Sequence, residues 1–388
     1  MQGRCPCVQT RGYNASMSVP THGVYVHLPW CAHRCHYCSF NVVVERDPPQ
    51  AAYTQALLQQ WAGIREHFPA PSTLYFGGGT PSLHPVEQIA ALIEAIAPSG
   101  EVTLEANPGS TSLDKLEQWR AAGVTRLSLG LQTFSERYTR FLHRQHSAEE
   151  ALELLQAVSE AGFASWSADL IFALPGQTLD ELDQDIAHIL ASGAPHVSLY
   201  GLTAHPGTHL GNAVDGGRVQ LPPDEDWARA YAHILDRLQS DGLSRYEVSN
   251  FARPGQRGLH NEAYWRAQPY AGLGAGAHGC LPLGTRTLGV SDPAAFIAGP
   301  EHYESWETPD PEQRALDLLL STLRHVDGVP LDRLQALGFS LDRRALLPHL
   351  ERGTLRERPG RLQLAEAGWT LADGLTRACA SALQSSQP

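Results

Sequence analysis

The chain of 388 residues carries 41 acidic against 29 basic side chains, a net charge of −12, which argues against a protein built around a broad basic face for nucleic acid. That length accommodates one large domain plus a smaller one, and an apolar fraction of 42% supports a packed core. No apolar run reaches the length of a membrane span.

Met1 to Thr21 lacks the apolar core of a signal peptide. The chain is therefore expected in the cytoplasm, where thiols stay reduced, with peripheral membrane contact left open. Cys5 and Cys7 fall in this polar segment, upstream of a second candidate start at Met17. Neither is expected to ligate metal.

The first strand candidate is 23–29. It runs directly into Cys31-Ala32-His33-Arg34-Cys35-His36-Tyr37-Cys38, a CxxxCxxC array. Three thiolates in one short loop can ligate three irons of a cubane iron–sulfur cluster and leave the fourth open for chemistry. Zinc is the alternative, with His27, His33 or His36 as a further ligand, although no second cysteine pair follows. A disulfide framework fits seven cysteines in a chain of this length badly.

Downstream, strand candidates at 72–77, 101–105, 126–131, 165–173 and 196–202 alternate with amphipathic segments at 51–65, 85–96, 112–121, 148–160 and 179–191. Such alternation implies right-handed βαβ units and a parallel sheet, closed as a partial barrel or open and doubly wound. Unusual residues follow or end several of these strands, at the face where (β/α) barrels work. Gly77-Gly78-Gly79-Thr80 lets backbone approach a ligand, or is a tight turn. Glu105 can accept from a hydroxyl or ammonium. Gln132 ends its strand, Arg144 can hold a carboxylate bidentately, and Asp169 interrupts an apolar run, which is costly without partners.

A helix is expected at 224–241, a strand near 245–250 and a tight loop over Tyr270 to Gly279. Between the last two stands His260-Asn261-Glu262-Ala263-Tyr264-Trp265. Its imidazole and aromatics suit a haem, or equally a hydrogen-bonded core histidine. Helical segments at 311–324, 330–337 and 342–352, then a hairpin over Gly353 to Leu364, read as a winged-helix-like unit in a packing or lid role.

Together these segments resemble the radical SAM superfamily, and within it the branch holding oxygen-independent coproporphyrinogen III oxidase and the haem chaperone HemW. The resemblance spans nearly all of 22–385. It implies an α/β fold, a partial (β/α)6 TIM-type barrel over 22–255, a connecting segment over 256–300 and a helical winged-helix-like domain over 301–388, after an extension of 1–21. It implies a [4Fe–4S] cluster on Cys31, Cys35 and Cys38. S-adenosylmethionine (SAM) would lie against Tyr25, Tyr37, Gly78, Gly79, Thr80, Glu105, Gln132, Arg144 and Asp169, and haem against His260.

Two departures refine it. The oxidases carry a fourth cysteine two residues after the third, where this chain has Phe40; the chaperone branch usually has glutamate where His205 stands. The first departure favours a haem chaperone, with an unidentified acceptor protein and an electron donor such as a flavodoxin or ferredoxin, over decarboxylation of coproporphyrinogen III to protoporphyrinogen IX.

Overall fold

The computed structural model describes residues 22–386. The extension with Cys5, Cys7 and Met17 lies outside the described residues. Six strands run parallel: β1 (Gly23–Leu28), β2 (Thr73–Gly78), β3 (Glu101–Ala106), β4 (Arg126–Gln132), β5 (Ser165–Phe172) and β6 (His196–Gly201). They neighbour one another in chain order within one twelve-stranded sheet. Helices α1 (Gln50–Ile64), α2 (Val86–Ile96), α3 (Leu113–Ala121), α4 (Ala148–Glu160) and α5 (Leu179–Ala191) form the crossovers. The fold is the expected partial barrel.

The strand periodicity explains the wall. Val24, Val26, Leu74, Phe76, Leu127, Leu129, Ala168 and Leu170 are buried and join the helices in the main apolar core. Alternate positions face inward: Tyr25 stacks on Tyr75, and Tyr75 reaches Glu105. Polar interior residues such as Thr103, Arg126, Ser167, His196 and Ser198 are themselves buried. The crossover helices begin where short polar side chains satisfy their first amides. Capping boxes at Ser147 with Glu150 and at Thr178 with Glu181 start α4 and α5.

Two expectations are corrected. The region 245–250 is not one strand: Ser244–Arg245 and Asn250–Ala252 pair with each other across a turn, and Asn250–Ala252 runs antiparallel to β6. The glutamate side chain of Glu247 takes the Ser249 amide at 3.0 Å inside that turn. Tyr270 to Gly279 is not a plain loop either. Tyr270–Leu273 extends the sheet parallel to β1, and His278–Cys280, Arg286–Gly289 and Tyr303–Glu307 add antiparallel strands beyond it. Gly272 allows this, because a side chain there would collide with the His278 carbonyl.

The remaining residues build a second apolar cluster around Leu319, Leu334, Leu346, Leu362 and Leu375. Helices Pro311–Thr322, Leu331–Ala336 and Arg343–Glu351 precede the hairpin Leu355–Arg358 with Arg361–Leu364. This is the expected winged-helix-like arrangement.

Candidate functional site

The C-terminal ends of the parallel strands surround a cavity of about 630 Å³. Its mouth is the cysteine loop. Trp30–Cys31 pairs with Val43–Val44 and so fixes where the loop leaves the sheet. The Cys38 amide donates to the Cys35 carbonyl at 3.2 Å, folding Cys35 and Cys38 into one turn. Cys31, Cys35 and Cys38 all border the cavity as free thiols. Burial pushes the Cys31 thiol up to about 11, so a metal centre must displace a proton there at neutral pH.

The glycine run brings backbone against this loop. The Gly79 amide donates to Leu28 O and the Thr80 amide to Trp30 O, at 2.8 and 2.9 Å. A side chain at Gly79 would lie 2.6 Å from the Trp30 carbonyl, and Gly78 holds φ +117°, which only glycine adopts readily. Thr80 Oγ1 then donates to Cys31 Sγ at 3.5 Å.

Deeper in the cavity are two carboxyls. Glu105 accepts from Tyr75 Oη at 2.8 Å, and burial pushes it up to about 7. Asp169 accepts from Ser128 and Ser167 hydroxyls, each at 2.7 Å. These bonds offset part of the burial that raises it. Opposite them Arg144 Nη2 donates to Asn107 Oδ1 and Gly130 O at 2.6 and 2.7 Å. Gln132 ends β4 at φ +68°, a conformation a non-glycine residue keeps only where its surroundings enforce it.

Two buried polar atoms here lack a partner among the described residues: Gln132 Oε1 and Arg144 Nε. Buried groups seldom stay unsatisfied. Together with two carboxyls and one guanidinium, they fit a ligand bearing an amine, a carboxylate and hydroxyls. The three soft sulfurs alongside fit a cluster better than an oxygen-preferring ion. His33 Nε2 instead meets the His143 carbonyl at 2.7 Å, and His27 contacts Tyr25 and the Asn41 carbonyl.

The structure thus brings together Cys31, Cys35, Cys38, Tyr37, Gly78, Gly79, Thr80, Glu105, Gln132, Arg144 and Asp169. Tyr25 does not border the cavity; its ring lies behind, 6.1 Å from Tyr75, with its hydroxyl 3.0 Å from His27 Nδ1. His260 is farther away still, near the strand N-termini. It is 1% exposed, and its ring nitrogens meet Thr73 Oγ1 at 2.8 Å and Tyr264 Oη at 2.7 Å. Seated so, it has no nitrogen to offer an iron from outside. Burial pulls it down to about 3. Sequence reasoning passed over Ser128, Ser167 and Asn107. Each stands at a polar position in or just after an apolar strand, the same signal that marked Asp169.

The radical SAM superfamily profile matches residues 25–189. Over 82% of this chain and 87% of its own length, the haem chaperone HemW of Bacillus subtilis is 36% identical. The chain belongs to the HemW family. A Mycobacterium tuberculosis member is 35% identical across 92% of this chain and 94% of its own. Coproporphyrinogen III oxidase (HemN) from Escherichia coli has the same fold, with a TM-score of 0.78, 20% identity and coverage of 93% of this chain and 90% of that one.

Proposed function

We propose that the chain is a haem chaperone whose haem binding is served by a radical SAM site. The single observation that carries the site is the cavity holding three free thiols at its mouth and two unpartnered polar atoms within. Cys31, Cys35 and Cys38 hold a [4Fe–4S] cluster. Gly78, Gly79 and Thr80 bring backbone to SAM; Glu105, Gln132, Arg144, Asp169 and Tyr37 take its polar groups. Tyr25 supports this shell through Tyr75 and does not touch the ligand. When bound, the pair supplies one-electron radical chemistry. Arg144 is placed to orient a carboxylate, and Glu105 to hold or release a proton near neutrality beside an amine.

The family's printed name supports haem as cargo for an acceptor protein, and a radical SAM site calls for an electron donor. Phe40, 66% exposed where the oxidases have a fourth cysteine, supports the chaperone over the oxidase reading. No helix among the described residues is long and apolar enough to cross a membrane, which suits the expected cytoplasmic setting. Titrating anaerobically reconstituted protein with ferric haem tests the proposal: saturation near one haem per chain, with cluster and SAM retained, is expected. Absence of haem binding would reject it.

A further inference from the structure

A second cavity, of about 680 Å³, lies on the other side of the wall. The end of β6 separates the two, and Gly201 borders both. One side is built by β5, β6 and helix α6 (Asp224–Ser240); the other comes from the C-terminal unit. Pockets of ~300–1,000 Å³ suit molecules of cofactor size.

Its lining has three chemical parts. The apolar part is aromatic. Trp227 and Tyr231 stack with centroids 5.3 Å apart at 12°, and Phe172 packs 5.2 Å from Trp227. Trp369 joins them from the C-terminal unit, with the Arg245 guanidinium 4.2 Å from the centroid of its ring. The charged part is Arg324, Arg352 and Arg377, against one acid, Asp373. Asp373 pairs with Arg324 at 2.7 Å, while Arg352 and Arg377 make no ion pair among the described residues. In a chain of net charge −12, this is a local reversal of sign. The third part is His349, a half-buried imidazole whose ring makes no hydrogen bond among the described residues.

We propose that this cavity is the haem seat, with His349 as the iron ligand. The inference rests on the haem-chaperone reading and gives that reading a place. A haem is a flat apolar ring carrying two carboxylates and one iron. The packed aromatic side chains give the ring an apolar wall to lie against, guanidiniums take the carboxylates, and a free imidazole takes the iron. All three partners meet here. Around His260, by contrast, the imidazole is fully engaged and fully buried. Seated at His349, the haem would lie across β6 from the cysteine-bordered cavity. Both the barrel and the C-terminal unit would touch it.

Ferric haem titrated into the full-length, cluster-reconstituted chain tests this by absorbance and electron paramagnetic resonance. His349→Ala should shift the Soret band and remove the imidazole signature. The double variant Arg352→Glu with Arg377→Glu should weaken haem at least tenfold, yet leave the affinity for the porphyrin dimethyl ester, which lacks both carboxylates, within twofold of wild type. Both arginines are exposed, and unchanged cluster content and SAM binding will show that the variants are folded. Wild-type spectrum and affinity in both variants would overturn the seat while leaving the chaperone reading standing. A wild-type chain that binds no haem would overturn both.

Discussion

Arg144 Nη1 lies 3.6 Å from Cys35 Sγ, which puts a fixed positive charge beside a proposed cluster ligand. The same side chain is tied to Asn107 and Gly130, so it cannot swing away. A nearby cation favours the more negative, reduced state of a cluster. Arg144→Met should therefore make the cluster's midpoint potential more negative and weaken SAM by roughly 10- to 100-fold, since one charge-assisted contact is worth roughly 1.5–3 kcal/mol. Redox titration followed by electron paramagnetic resonance, beside SAM titration, checks both. An unchanged potential would remove Arg144 from the site.

The cluster assignment itself separates five cysteines. Changing Cys31, Cys35 or Cys38 to Ser should abolish reconstitution, leaving far fewer than the ~4 irons per chain of a full cluster. Cys280→Ala and Cys379→Ala should keep it, because neither borders the cavity. Iron and labile-sulfide analysis decides. Stoichiometric zinc without sulfide would restore the zinc reading.

Glu105 predicts a pH dependence. Burial pushes it up to about 7, so between its ordinary value near 4.5 and about 7 the folded chain holds a proton that the unfolded chain has lost. The sign is that this group's contribution to stability falls as pH rises through that window. SAM, needing the carboxylate, should bind more tightly from pH 6 to pH 8. Glu105→Gln should bind weakly and lose that slope. Isothermal titration at three pH values measures it; a parallel slope in the variant would assign the dependence elsewhere.

The segment His260 to Trp265 should prove mechanical. Glu101 takes the amides of Leu259 and His260, each at 3.0 Å, and so caps the helix Leu259–Trp265 against the barrel. Glu262, buried, meets Arg257, Arg266 and His325 at 3.0, 2.9 and 3.3 Å. Burial would raise its carboxyl, but His325 and the arginines hold it down to about 2. Its contribution is present above its ordinary value near 4.5 and lost as pH falls toward 2. Glu262→Gln should cost about 2 kcal/mol, below the ~3–5 of a fully buried pair because both arginines reach solvent. His260→Ala should cost about 2–3 kcal/mol, by stranding Thr73 and Tyr264. Urea unfolding reads both losses; haem spectra should not move.

The six parallel strands and five crossover helices were legible because alternation and 3.6-residue periodicity report which face is buried. That Glu105, Gln132 and Asp169 line a cavity at the strand ends was legible for a related reason: they break apolar runs where only a cavity or partners tolerate them. Tyr25 and His260 could not be placed, since an inward-facing aromatic and an engaged histidine look alike in sequence whether or not a ligand reaches them. The strand Tyr270–Leu273 was hidden by its glycine and alanine content, which signals a loop unless the neighbouring backbone is known. The aromatic and arginine cavity was invisible for a further reason. Its walls come from Phe172, Trp227 and Trp369, far apart in the chain and joined only by packing of the C-terminal unit.

On the proposed function, this radical SAM site serves haem binding and not porphyrinogen oxidation. One measurement addresses it most directly: product analysis of the reconstituted chain incubated anaerobically with reductant, SAM and coproporphyrinogen III, with bound haem quantified in the same preparation. A haem chaperone should show about one haem per chain and no accumulating protoporphyrinogen IX. Repeated turnover of coproporphyrinogen III, many products per chain, would contradict it.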